Sequence, residues 1–313
     1  MMSFSINIEP NAHFKRVQIK NLFTQELIEI STKGGLLNSW KLSAASGFFD
    51  IIDGNNFEEG WKNFESNGFK GGKMNPFSCR LQNGTYVHEG KKYSIDKFYL
   101  GDHALHGILY DANFEIINTE VNENYASVTL HYEYQKNDKG FPFNYTVSLK
   151  WIFEKNNKVQ VETIITNKDS HSFPMMDGWH PYFKLGENII NCTLEFINKG
   201  ILVYNEALLP TGDILPCHDF ESPKSLDTIE LDNGYLLDSE RPSATLENKN
   251  FKLVVTPDKN YSYLQLYIPS NRKSIAIENL SAAPDCFNNK MGLHIMQPQE
   301  IWSLKTQYQL FYK

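Results

Sequence analysis

Phe143-Asn144-Tyr145-Thr146-Val147-Ser148-Leu149-Lys150-Trp151-Ile152-Phe153 places a large apolar residue at every odd position. Side chains of a strand point alternately to opposite faces, so this spacing gathers Phe143, Tyr145, Val147, Leu149, Trp151 and Phe153 on one side of a sheet. Asn156-Asn157 is a turn signal, and Val159, Val161, Thr163 and Ile165 resume the alternation beyond it, so the two runs read as a hairpin. Upstream, Val128, Leu130, Tyr132 and Tyr134 alternate with Ser127, Thr129, His131 and Glu133. Trp302, Leu304, Thr306, Tyr308, Leu310 and Tyr312 make a last strand. Aromatic and β-branched residues dominate these runs, as half-buried pleated surfaces prefer. Helical periodicity is nearly absent and no βαβ rhythm appears, which excludes a doubly wound parallel sheet. The expectation is an all-β fold, a large antiparallel β-sandwich with little helix.

Length alone would suggest about two domains, but large all-β folds often run past ~200 residues as one unit. No linker, low-complexity run or fixed repeat interrupts the 313 residues, so one domain over 1–313 is expected. The net charge of −7, with both signs interleaved, disfavours nucleic acid, whose phosphates are bound by clustered Lys and Arg. The first residues lack the basic start and apolar run of a secretory leader, and no apolar stretch approaches the ~20 residues that span a bilayer. Cys79, Cys192, Cys217 and Cys286 are far apart and form no C-x-x-C pair. A disulfide framework is therefore not expected, and the cytoplasm is the default compartment.

Three polar groups stand out. In Ser274-Ile275-Ala276-Ile277-Glu278-Asn279, alternation puts Glu278 on the face opposite Ile275 and Ile277, beside the small Ser274 and Ala276. That arrangement suits a carboxylate lining a hollow; the plainer reading is an exposed glutamate closing an edge strand. His180 lies in Asp177-Gly178-Trp179-His180-Pro181-Tyr182-Phe183, where the plainer reading is a satisfied core or turn histidine. Yet aromatic rings beside polar groups suit pyranose rings, whose C–H faces are apolar and whose hydroxyls need hydrogen bonds. His103 and His106, in Asp102-His103-Ala104-Leu105-His106-Gly107, lack an H-E-x-x-H context, and no metal is expected there.

Together these segments resemble the aldose 1-epimerase (galactose mutarotase) family, in family order from about Gly71 to the C-terminus. Lys73-Met74-Asn75-Pro76-Phe77-Ser78-Cys79-Arg80-Leu81, followed by Asn83-Gly84-Thr85-Tyr86 and Gly90-Lys91-Lys92-Tyr93, is similar to the family's arginine-bearing segment. Leu105-His106-Gly107 resembles its Leu-His-Gly motif and His180-Pro181-Tyr182-Phe183 its His-x-Tyr-Phe motif. Leu231-Asp232-Asn233-Gly234-Tyr235 is similar to the segment carrying a sugar-binding aspartate. Glu278 and Pro284-Asp285-Cys286-Phe287-Asn288-Asn289 look like the segment that supplies the base. Three departures stand out: Cys79 replaces the asparagine that usually precedes the arginine, Pro298-Gln299-Glu300 replaces a Pro-Gly-Glu turn, and Asn279-Leu280-Ser281 after Glu278 differs in detail from the best-studied members.

The resemblance implies the galactose mutarotase-like supersandwich and interconversion of the α and β anomers of a free aldose, without cofactor or metal, by a monomer or homodimer. It implies Glu278 as base and His180 as acid on opposite sides of the ring, and His106 polarising the ring oxygen. Arg80 and Asp232 would hold sugar hydroxyls. Trp179, beside His180, is added here as a stacking surface. A hexose-6-phosphate epimerase shares the chemistry but needs cations for the phosphate. Ile108-Leu109-Tyr110 stands where phosphate-specific relatives commonly place an arginine, which leaves Arg80, Lys70 and Lys73. A glycoside hydrolase using Glu278 and Asp232 would leave the histidine motifs without a role. A non-catalytic carbohydrate-binding module would need Arg80, Asp232 and the aromatics but no proton-transfer pair.

Overall fold

The computed structural model describes residues 3–10, 13–44, 47–56, 64–238, 241 and 243–313. The deciding stretch forms the strand Asn144–Glu154, in which Tyr145, Val147, Leu149 and Trp151 are buried while Asn144, Thr146, Ser148 and Lys150 are half-exposed. It pairs antiparallel with Tyr125–Gln135 and with Lys158–Asn167. The second pairing is the expected hairpin, whose turn carries Asn156 and Asn157 at φ 63° and 56°. Asparagine tolerates this left-handed region better than most residues. The strand Ile301–Tyr312 runs inside the same sheet, between Lys158–Asn167 and Phe251–Pro257.

Nine strands make up this sheet, and a second sheet has eight. The second contains Asn198–Tyr204, Asp232–Leu237, Tyr263–Tyr267 and Ile275–Leu280 side by side, then the short strands Gly178–Trp179 and Lys73–Met74, with Tyr182–Phe183 also on Ile275–Leu280. The sheets meet through Trp151 against Trp179, ring centroids 5.3 Å apart, and Phe183 against Tyr308 at 5.5 Å. A five-stranded meander between Phe4 and Asp50 joins the nine-stranded sheet where Trp151 Nε1 donates to the Gly35 carbonyl at 2.8 Å. Gly35 has φ 62°, and a Cβ there would lie 2.4 Å from Leu149 Cδ1, so the approach requires glycine. The buried apolar side chains form one connected cluster from Phe4 to Leu310. This is the antiparallel sandwich the periodicity demands. The one α-helix among the described residues is a single turn, Cys286–Asn289. At the departure from Pro-Gly-Glu, Gln299 takes φ 65° after Pro298, so the glutamine adopts the backbone that glycine would adopt at less cost.

Between the sheets lies a fully buried ion pair, Lys73 Nζ to Asp177 Oδ2, at 2.5 Å. Asp177 also accepts from Asn75 Nδ2 at 3.0 Å and from the Tyr261 hydroxyl at 2.7 Å. The Asp177 N–H donates to Ser281 Oγ, and its carbonyl accepts from the Ser281 N–H, both at 2.9 Å. The ammonium stands 4.2 Å from the Trp179 ring centroid. Burial pulls the Lys73 ammonium down to about 8 against the opposing pull of Asp177. Breaking such a pair from one side leaves an uncompensated buried charge. Asp177→Ala should therefore lower stability in urea unfolding by about 3–5 kcal/mol, and Lys73→Met added to it should recover part of that loss. A second substitution that deepens the loss would mean that the lysine stabilises by packing alone.

Candidate active site

The strand Ile275–Leu280 is buried along its whole length and flanked on both sides. Glu278 is therefore not the exposed edge residue of the plainer reading; it is 2% exposed, opposite Gln265 in the register. Gly178–Trp179 and Tyr182–Phe183 both pair with this strand, and His180-Pro181 interrupts them. Proline cannot donate to a ladder, so the pairing breaks there. The break leaves the His180 main chain tied to the loop before Lys73, with its N–H on Gly72 O at 3.1 Å and its carbonyl accepting from the Gly71 N–H at 2.8 Å. His106 sits at φ 59°, its N–H bound to the Cys79 carbonyl at 3.0 Å. Gly107 follows at φ 76°, where a Cβ would lie 2.4 Å from the Asn75 carbonyl oxygen. The glycine of the Leu-His-Gly motif thus lets two backbones touch, and that contact aims His106.

These elements line a cavity of about 280 Å³. On its floor His180 Nε2 stands 3.4 Å from Glu278 Oε1, and the His106 and His180 rings meet edge to face at 4.9 Å. The two groups that the resemblance names as acid and base are thus adjacent rather than across a ring from each other. Glu278 Oε2, His180 Nδ1 and His106 Nδ1 are buried with no hydrogen-bond partner. Burial pushes the Glu278 carboxyl well above the usual carboxylate range, with Asp232 adding to it. Burial pulls His180 down to about 4 and holds His106 well below the usual imidazole range, where His180 and Arg80 lower it further.

Of the residues singled out from sequence, Glu278, His180, His106, Arg80 and Asp232 converge on this cavity despite their separation along the chain. Trp179 does not line it. Its ring lies between the sheets, against Trp151 and under the Lys73 ammonium, because the strand alternation that exposes one neighbour to the cavity turns the other inward. The ring beside His180 is Tyr182, stacked at 4.9 Å and 16°. His103 is bound through Nδ1 to the Asn83 N–H at 3.1 Å and does not line the cavity. Among the described residues no group of three His, Cys, Asp or Glu side chains is arranged to hold a metal.

Sequence reasoning missed Gln265, Tyr267, Tyr204 and Phe69, which also line the cavity. Gln265 had a signal, being the one polar residue in Tyr263-Leu264-Gln265-Leu266-Tyr267, and alternation places Tyr267 on its face. Phe69, at φ 53°, packs on the His106 ring at 4.7 Å, but it sits in a turn where no periodicity marks it.

The family model described as Aldose 1-epimerase matches residues 15–309. An uncharacterized protein of Escherichia coli, YihR, is 22% identical over 240 residues, covering 71% of this chain and 73% of that protein. The bifunctional protein gal10 of Schizosaccharomyces pombe is 26% identical over 226 residues, 64% of this chain and 30% of that protein. Among solved structures, a galactose mutarotase-like protein from Clostridium acetobutylicum superposes with TM-score 0.86 at 17% identity, covering 99% of each chain. The galactose 1-epimerase of Lactobacillus acidophilus gives TM-score 0.84 at 18% identity, covering 100% of this chain and 99% of that one. At such identities the likeness of structure is a likeness of fold.

A carboxyl raised by folding keeps a proton that the unfolded chain has lost, so Glu278 makes stability fall as pH rises above its unfolded value and up to its folded one. His180 acts in the opposite sense, costing stability as pH falls from about 6.5 toward 4. Glu278→Gln removes the first effect and leaves the second. Its gain in melting temperature over the parent should be larger at about pH 8 than at about pH 5; an equal or smaller gain at the higher pH would mean that Glu278 is not strained by burial.

Proposed function

The chain belongs to the aldose 1-epimerase family, and from that premise we propose that it is a mutarotase, interconverting the α and β anomers of an uncharged aldose. The observation that carries this reading is the buried His180–Glu278 pair at 3.4 Å, each member with a further polar atom unpartnered. The anomeric oxygen and the ring oxygen are bonded to the same carbon, so two adjacent proton carriers reach both at once. Glu278 takes the proton of the anomeric hydroxyl, the C1–O5 bond breaks as the carbonyl forms, and O5 takes a proton from His180. Rotation about C1–C2 and the reverse transfers then give the other anomer.

In the resting cavity burial favours a protonated Glu278 and a neutral His180, so the reactive pair forms when the proton crosses the 3.4 Å contact from carboxyl to imidazole. Ring opening turns carboxylate and imidazolium into carboxylic acid and imidazole, and burial favours both neutral forms. The open-chain stage is therefore the one that the dry floor stabilises, while proximity keeps the charged stage accessible. His106, held neutral, polarises the ring oxygen, and Arg80 and Asp232 hold hydroxyls nearer the mouth.

Three carboxylates, those of Glu65, Asp232 and Glu278, line the cavity with Arg80. Lys70 is paired with Asp53 at 2.9 Å and Lys73 is buried on Asp177. That balance supports an uncharged sugar over a hexose 6-phosphate. One connected core supports treating 1–313 as a single domain. The four cysteines are free, and no helix among the described residues is long and apolar enough to cross a membrane; we place the activity in the cytoplasm.

Polarimetry of freshly dissolved α-anomers of glucose, galactose and other aldoses tests the reaction directly. Glu278→Gln should lower turnover by roughly 10²–10⁴-fold with sugar affinity within a few fold. His180→Asn should also be severe, His106→Asn milder in turnover and plainer in binding, and the two severe variants non-additive when combined. A Glu278→Gln protein with most of its turnover removes Glu278 as the base, and a parent that binds aldoses without turning them over leaves a binding protein.

A further inference from the structure

Beside the floor lies a chain of hydrogen bonds that the reaction as described does not use. Gln265 Nε2 donates to Asp232 Oδ1 at 2.9 Å, and the Tyr204 hydroxyl donates to Gln265 Oε1 at 2.9 Å. All three side chains line the cavity, and each comes from a different neighbouring strand: Asn198–Tyr204, Asp232–Leu237 and Tyr263–Tyr267. A carboxylate only accepts, so the amide must present its NH₂ to Asp232, which turns Oε1 away and leaves that oxygen in need of a donor. Tyr204 is the donor. Turned the other way, the amide would set one acceptor against another.

Space for this arrangement is built into the neighbouring strand. Gly234 stands opposite Gln265 in the register, and a Cβ there would lie 2.3 Å from the Tyr204 hydroxyl oxygen and 3.1 Å from Gln265 Oε1. The glycine of Leu231-Asp232-Asn233-Gly234-Tyr235 is thus the hole in which phenol and amide meet. Burial and the nearby carboxylates of Asp232 and Glu278 push the Tyr204 phenol well above its ordinary range, so it stays protonated and keeps its role as donor.

From this geometry we propose that Tyr204 is a positioning residue: acting through Gln265, it fixes Asp232 as a pure acceptor for one particular sugar hydroxyl, and thereby sets which hydroxyl the cavity requires. Asp232 Oδ1 is taken by the amide, and Oδ2 is left for the substrate. The effect belongs to recognition and not to proton transfer, because the hydrogen bonds of Tyr204 and Gln265 run to each other and to Asp232, not to His180 or Glu278.

The inference rests on the reading of the cavity as a sugar site, and the test separates the two. Tyr204→Phe keeps the ring and removes only the hydroxyl. Calorimetry of an aldose with Glu278→Gln and with Glu278→Gln/Tyr204→Phe should show affinity weakened roughly five- to tenfold, as one lost hydrogen bond predicts. In the parent background KM should rise by the same factor with kcat within about twofold. Across a series of monodeoxy aldoses, the sugar lacking the hydroxyl held by Asp232 should show no Tyr204→Phe penalty, while the others keep it. Gly234→Ala, which displaces the phenol, should reproduce that pattern. An unchanged affinity for every aldose overturns the proposal, as does a penalty equal across the deoxy series or a fall in kcat matching the rise in KM. A parent protein that binds no aldose overturns the sugar site itself, and this inference with it.

Discussion

The polar floor of the cavity hangs on the carboxylate of Asp177. One oxygen holds the Lys73 ammonium and the Tyr261 hydroxyl, the other holds Asn75, and its main chain is clasped to Ser281. Asn75 in turn offers its carbonyl to the Ile108 N–H at 2.8 Å, immediately after His106-Gly107. His180 lies just downstream of Asp177 and Glu278 just upstream of Ser281. A single buried anion therefore fixes, within a few bonds, the three segments that carry the polar floor. Buried ion pairs seldom add net stability over an apolar core, but they tolerate only one arrangement of their partners. Here that one arrangement is the spatial relation of two histidines and a glutamate.

The floor itself runs against the ordinary rules of burial. Polar atoms of Glu278, His106 and His180 are closed off without partners, each at a cost in folding. Such debts collect where a ligand is to supply the missing partners. The neighbouring network contrasts with it, since Gln265 Oε1 and Asp232 Oδ1 are each matched with a donor. One part of the cavity is held by matched hydrogen bonds while the other keeps its polar atoms unpartnered.

The alternation in Phe143–Phe153 was enough to read the sandwich, because a strand with one face on the core repeats its pattern along its length. The candidate site was legible only where short motifs were distinctive: His180 and Glu278 through their neighbours, His106 through the glycine after it. Trp179 was misplaced because adjacency in sequence is the wrong measure in a strand, where the next residue looks the other way. The plainer reading of Glu278 as an edge residue stayed open because strand order is a property of the sheet, and nothing between residues 274 and 279 states which strands lie beside it. Tyr204 and Phe69 were invisible for a related reason: a hydroxyl or ring acquires its role from partners that only the fold brings near.

The left-handed backbone at Cys79 and the bond from its carbonyl to His106 have a consequence for descent. At this position the main chain does the holding, and the side chain is left to line the cavity. A cysteine can therefore stand before Arg80 without losing the bond that supports the histidine. The floor is tied down through backbone atoms and one deep carboxylate, whereas the mouth is built from side chains on separate strands and turns. A lineage can rewrite the mouth residue by residue while the buried arrangement of His106, His180 and Glu278 is inherited untouched.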